Sequence, residues 1–258
     1  MSPRDHQKVY KAWQNLVDIL DKNTKACIDR FVRPPPLYTR EGRSATAGLS
    51  LPARLFVEFQ KLWPKKKLQI RFLDGDPSVH EKVIYHAKDW AKYANLNLDF
   101  VSGGDADIRI ALMEGEGSWS YIGTDSISIE DQNKPTMNYG WLDPTTADAE
   151  YSRVVKHEFG HAIGCPHEHQ HPRNGIDWNV ENVVADLSGP PNFWDRETIE
   201  RNLFQRYDEN ITRYSEFDPD SIMLYPIPAR WTRSGVAIGG ENHDLSETDK
   251  EFIKKMYP

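Results

Sequence analysis

Three histidines confine part of this chain to one local architecture. In the run His157-Glu158-Phe159-Gly160-His161-Ala162-Ile163-Gly164-Cys165-Pro166-His167 the first two histidines stand four apart. On a helix they would lie one turn above each other on the same face. Val154, Val155, Phe159 and Ile163 recur at helical spacing through the same stretch, which predicts a helix from near Thr146 or Asp148 to a stop at Gly164. Glycine tolerates the left-handed backbone that reverses the chain, and His167, three residues on, can then fold back toward the other two imidazoles. Three neutral nitrogens with a fourth, open position suit a single zinc ion, and Glu158 stands next to His157, placed to hold water there. His169 and His171 do not have the spacing that the glycine turn serves, and they are read as exposed or as neighbours of the ligands at most.

The rest of the chain supplies a plausible frame for such a site. Val9, Trp13, Leu16, Val17 and Leu20 predict an amphipathic helix over residues 8–22. Pro34-Pro35-Pro36 and the polar stretch to Gly48 then read as a linker or exposed strap. Alternation in Leu68-Gln69-Ile70-Arg71-Phe72 predicts a strand. Ser78 is the expected cap of a helix running to about Asn95. Further strands are predicted near 98–101, 108–112, 117–123 and 136–141, a loop-rich stretch around Gly189-Pro190-Pro191, a helix over about 192–207, and a last helix near 247–256.

Composition removes several functions from consideration. With 39 acidic against 32 basic residues the chain carries a net charge of −7, which should repel nucleic acid and anionic membrane surfaces. No run reaches the apolar length of a bilayer span, and the first twenty residues lack the apolar core of a secretory signal. The expectation is a cytoplasmic or non-classically secreted protein, the choice between them open. Two cysteines, Cys27 and Cys165, do not make a disulfide scaffold in 258 residues.

The histidine run together with Ser221-Ile222-Met223-Leu224-Tyr225 resembles the metzincin metallopeptidases, and Tyr225, two residues past Met223, resembles their astacin branch. The resemblance covers about residues 67–258. It implies an α+β zincin fold: an N-terminal subdomain with a twisted mixed sheet, a backing helix and an active-site helix, and a mostly irregular C-terminal subdomain with a methionine turn and helices. It implies a zinc endopeptidase in which His157, His161 and His167 are the ligands, Glu158 is the general base and acid, Tyr225 is a displaceable ligand that stabilises the intermediate, and Met223 is an apolar floor. It also implies that Glu168 anchors a trimmed amino terminus. The chain departs from the family in lacking paired disulfides and in carrying His169-Gln170-His171-Pro172-Arg173 where Arg-x-Asp is usual. The partners expected are peptides or proteins as substrates of a monomer; the alternative is a catalytically silent peptide-binding module on a protease fold.

Such enzymes are commonly latent, so residues 1–66 are expected to form an inhibitory propeptide ahead of a catalytic domain over 67–258. Cys27, flanked by Lys25 and Arg30, is the candidate inhibitory zinc ligand, because nearby cations favour the thiolate. A disulfide to Cys165 and an inert buried thiol are the competing readings of the same residue.

Overall fold

The computed structural model describes residues 61–189, 192–206 and 216–258. The expected helix over 8–22, the proline strap and Cys27 lie outside them. The first strand, β1 (Lys67–Phe72), buries Leu68 and Ile70 completely and turns Lys67 and Gln69 outward, the alternation of a strand with one face on a core. It pairs in parallel with both β2 (Asn97–Phe100) and β3 (Ile108–Ala111). β3 pairs in parallel with β5 (Met137–Tyr139), and β5 pairs antiparallel with β4 (Ser118–Ser120). The sheet order is β2-β1-β3-β5-β4, so the one antiparallel strand is an edge.

Between β1 and β2 runs α1 (Pro77–Ala91). Its cap is Asp76 rather than Ser78: the carboxylate accepts from the Ser78 backbone N–H at 2.8 Å and from its hydroxyl at 2.7 Å. Pro77 decides this, since its fixed φ suits the first helical position and places the cap one residue before it. The helix buries Val79, Val83, Ala87 and Trp90. It packs on α2 (Asp148–Ala162), where the Trp90 indole donates to the Lys156 carbonyl at 2.8 Å and Lys156 Nζ meets Asp89 at 2.9 Å.

Beyond α2 the expectations hold less well. The stretch read as loop-rich contains α3 (Val180–Leu187), which is capped by Asn179 and buries Val183 and Leu187. The helix expected over 192–207 is shorter: α4 (Arg196–Ile199), capped by Asp195, runs into a π-helical turn over Glu200–Phe204. The last helix, α5 (Glu247–Met256), stands where its pattern put it, opened by a reciprocal capping box between Ser246 and Asp249.

Two hydrophobic cores result. One joins the sheet with α1, α2, Met223 and α5; the other gathers Trp178, Val183, Trp194, Leu224, Tyr225 and Trp231. The segment Ser221–Tyr225 therefore straddles the two. Ahead of β1, Trp63 is 4% exposed and belongs to the first core. Its indole donates to the Ala162 carbonyl at 2.8 Å, and the Tyr257 hydroxyl donates to the Ile163 carbonyl at 2.7 Å. Two carbonyls at the end of α2, which a helix leaves without internal partners, are satisfied this way. Among the described residues no helix is long and apolar enough to cross a membrane.

Candidate metal centre

α2 delivers His157 and His161 from adjacent turns, and its ending delivers His167. Gly164 takes φ +107°, its N–H donates to the His161 carbonyl at 2.8 Å, and Cys165 N–H donates to the Gly160 carbonyl at 2.9 Å. These are the paired bonds of a Schellman ending, whose left-handed position glycine occupies without strain. The chain turns back and brings His167 onto the two helical imidazoles.

The three rings are 7%, 0% and 0% exposed in chain order. His157 Nδ1 lies 2.8 Å from the Ile222 carbonyl oxygen, and His161 Nδ1 lies 2.7 Å from that of Cys165. A carbonyl can only accept, so each Nδ1 carries a proton and each neutral ring leaves a lone pair on Nε2. The Nε2 atoms stand 3.1 Å (157 to 167), 3.1 Å (157 to 161) and 3.2 Å (161 to 167) apart. Tetrahedral zinc bound at 2.0–2.1 Å requires ligand nitrogens about 3.3 Å apart, so the triangle fits zinc, and lone pairs this close repel without a cation among them. The same three residues form the metal-capable cluster found among the described residues. Burial, then His169 and His157, hold the His167 imidazole well below the usual range, which keeps it neutral as a ligand must be.

Gly160, inside the motif, has a use that the sequence reading did not assign. A Cβ there would stand 2.2 Å from Met223 Sδ and 3.1 Å from Trp90 Cζ2. A glycine inside a helix costs about 1 kcal/mol against alanine, and that penalty is the signal that something approaches closely. Here it is the methionine beneath the histidines. Gly160→Ala is therefore expected to lower stability despite its better helix propensity, since overpacking costs about 1–3 kcal/mol. Thermal unfolding checks this, and a raised Tm would mean that Met223 yields freely.

The other predicted residues are found as follows. Glu158 is 1% exposed, one position after His157 on α2. The Tyr225 ring stands 4.3 Å from that of His167, 4.9 Å from that of His169 and 5.8 Å from that of His157, centroid to centroid. His169 and His171 are fully buried, which removes exposure as a reading and leaves the other one, a neighbour of the ligands, for His169, whose ring stands 5.0 Å from that of His167. His169 Nε2 donates to the Asn202 carbonyl at 2.7 Å and Gln170 Nε2 to that of Arg201 at 2.9 Å, so the π turn holds the loop that follows the third histidine. Glu168 is buried, accepts from the Asp218 N–H at 2.9 Å, and has its carboxyl pushed up to about 8 by burial. Cys165 is a buried thiol with no disulfide, and burial pushes its pKa well up.

Comparison with known proteins agrees with this geometry. A family model described as Astacin (Peptidase family M12A) matches residues 56–258. No curated protein sequence matches significantly. Among solved structures, one titled "Structure of myroilysin" is 43% identical, with TM-score 0.75, over 78% of this chain and 98% of that one. A "Crystal structure of myroilysin" is 37% identical, with TM-score 0.64, over 91% of each chain. High choriolytic enzyme 1, a hatching enzyme zinc-protease from the medaka fish Oryzias latipes, shares the fold at 17% identity and TM-score 0.54, over 80% of this chain and 98% of that one.

Proposed function

Because this chain belongs to the astacin family and is a zinc metalloendopeptidase, we propose that His157, His161 and His167 hold its zinc ion, that Glu158 moves the proton in peptide hydrolysis and that Tyr225 stabilises the developing oxyanion. The observation that carries this reading is the triangle of three Nε2 atoms, 3.1–3.2 Å apart. Zinc held there supplies a Lewis acid for the scissile carbonyl and brings the pKa of water toward neutrality. Glu158 accepts a proton as the water oxygen bonds to the carbonyl carbon, and returns it to the amine as the C–N bond breaks. Tyr225 donates its hydroxyl hydrogen bond to the oxyanion. The substrate lies as an added strand along β4, the antiparallel edge strand of the sheet.

The same reading makes the N-terminal segment an inhibitor, with Cys27 as the thiolate that occupies the open position. A segment ahead of the catalytic unit is supported by the family match, which begins at residue 56. We place the end of the removable part ahead of Lys61, since Trp63 is built into the catalytic core. After trimming, Glu168 receives the new amino terminus, whose ammonium charge would draw its raised carboxyl back to the ionised state.

The test is zinc content and casein cleavage by the intact chain, by a chain trimmed ahead of Lys61, and by intact Cys27→Ala. One zinc in each, with cleavage only after trimming or in Cys27→Ala, is the expected result. Equal cleavage by the intact parent and Cys27→Ala would end the latency reading, and a trimmed chain without zinc would overturn the ligand assignment.

A further inference from the structure

We propose that Asp249 is a positioning residue for the metal site, holding Ser221–Ile222–Met223 in the arrangement in which the Ile222 carbonyl orients His157. The inference rests on His157 being a zinc ligand.

Asp249 lies in the first turn of α5 and is 7% exposed. Its local duty is the capping box, in which Oδ2 accepts from the Ser246 N–H at 3.0 Å. The carboxylate does more than this. Oδ2 also accepts from the Ile222 N–H at 2.9 Å, and Oδ1 accepts from the Ser221 hydroxyl at 2.7 Å, 27 and 28 residues away in sequence. The Ser221 oxygen, its own proton given to Asp249, accepts from the Met223 N–H at 3.1 Å. Directly or through one hydroxyl, a single carboxylate thus engages three consecutive residues.

The carbonyls of that turn face the metal ligands. The Ile222 carbonyl accepts from His157 Nδ1 at 2.8 Å, and the Met223 carbonyl accepts from the N–H of Glu168, the residue after His167, at 2.9 Å. A displacement of the turn would therefore reach His157 through one hydrogen bond and the chain beside His167 through another. Among the described residues no lysine or arginine is paired with Asp249, so its three donors provide the compensation that a buried charge requires. Burial pushes its carboxyl upward, and the same three donors oppose that rise. A helix cap alone would need only the Ser246 contact.

Asp249→Asn keeps the side-chain shape and removes the charge; its one carbonyl oxygen can still accept from the Ile222 and Ser246 N–H groups, but an NH2 then faces the Ser221 hydroxyl, which loses its acceptor. On the full-length chain, with folding verified by circular dichroism, the zinc dissociation constant from competition with a chromophoric chelator is expected to rise about tenfold, toward the low end for groups that orient a ligand. The visible spectrum of the cobalt(II)-substituted protein is expected to change with it. Ser246→Ala is the control: it loses the hydroxyl that caps the Asp249 N–H at 3.0 Å and donates to Asp218 at 2.7 Å, keeps the bonds of Asp249 to Ser221 and Ile222, and should lower thermal stability while leaving the zinc constant unmoved. A zinc constant for Asp249→Asn equal to the parent's, or an equal weakening in Ser246→Ala, would overturn the proposal. If Asp249→Asn does not fold, Ser221→Ala decides: a several-fold weakening supports the relay and an unchanged constant refutes it. Absence of zinc from the parent chain would instead remove the ligand reading beneath it, and shows before any variant is compared.

Discussion

Glutamine in place of Glu158 is expected to lower kcat/KM on a protein substrate by about 10²–10⁴-fold while one zinc per chain stays bound, the range for losing a positioned general base and acid. The change is nearly isosteric, so a side chain only 1% exposed is replaced without a cavity. The ligand rings keep their orientation, because the carbonyls of Ile222 and Cys165 hold His157 and His161 at Nδ1. What is lost, on the proposed role, is the carboxylate that accepts the proton. Kinetics on the trimmed chain, with zinc measured on the same sample, check both halves. Activity within about tenfold of the parent would assign the proton transfer elsewhere, and loss of zinc would make Glu158 part of the metal's support.

The second large effect is on stability and comes from outside the motif. Trp63→Ala is expected to cost about 3–5 kcal/mol, the range for deleting a buried tryptophan. Trp63 is 4% exposed in the core shared by the sheet, α1 and α2, and its indole is the side chain that satisfies the Ala162 carbonyl at the end of the active-site helix. Leaving that acceptor buried and unpaired adds about 1–3 kcal/mol to the lost packing in the worst case. Trp63→Phe separates the two contributions, since it retains most of the volume and removes the N–H. Urea unfolding at fixed free zinc measures the difference, the ion being held constant because it stabilises the folded state by mass action. A cost below about 1 kcal/mol would show that the segment ahead of β1 is dispensable to the catalytic unit. The same contact predicts that a chain beginning at residue 67 is less stable than one beginning at residue 61.

Much of the site is local, and what is local was legible. His157 and His161 share a face because a helix repeats every 3.6 residues, Gly164 marks the reversal because only glycine takes that φ cheaply, and His167 follows at the distance the reversal requires. β1, α2 and α5 carry alternation or helical spacing strong enough to be placed almost to the residue. α3 is not legible because eight residues ringed by turn formers give too short a pattern, and it is burial of Val183 and Leu187 in the core that holds Trp178 and Trp231 that makes it a helix. The cap of α1 moved to Asp76 for a local reason, Pro77, that a search for the nearest serine overlooks.

The sequence by itself therefore determined the three imidazoles, the helix that carries two of them and the turn that returns the third, since each depends on residues within eleven positions. Only the tertiary structure decided that Ile222 orients His157 across 65 residues, that Trp63 closes the end of the active-site helix across 99, and that His169 and His171 are buried. Those contacts are set by how two cores meet at Ser221–Tyr225, and burial of that kind leaves no period in the chain to read.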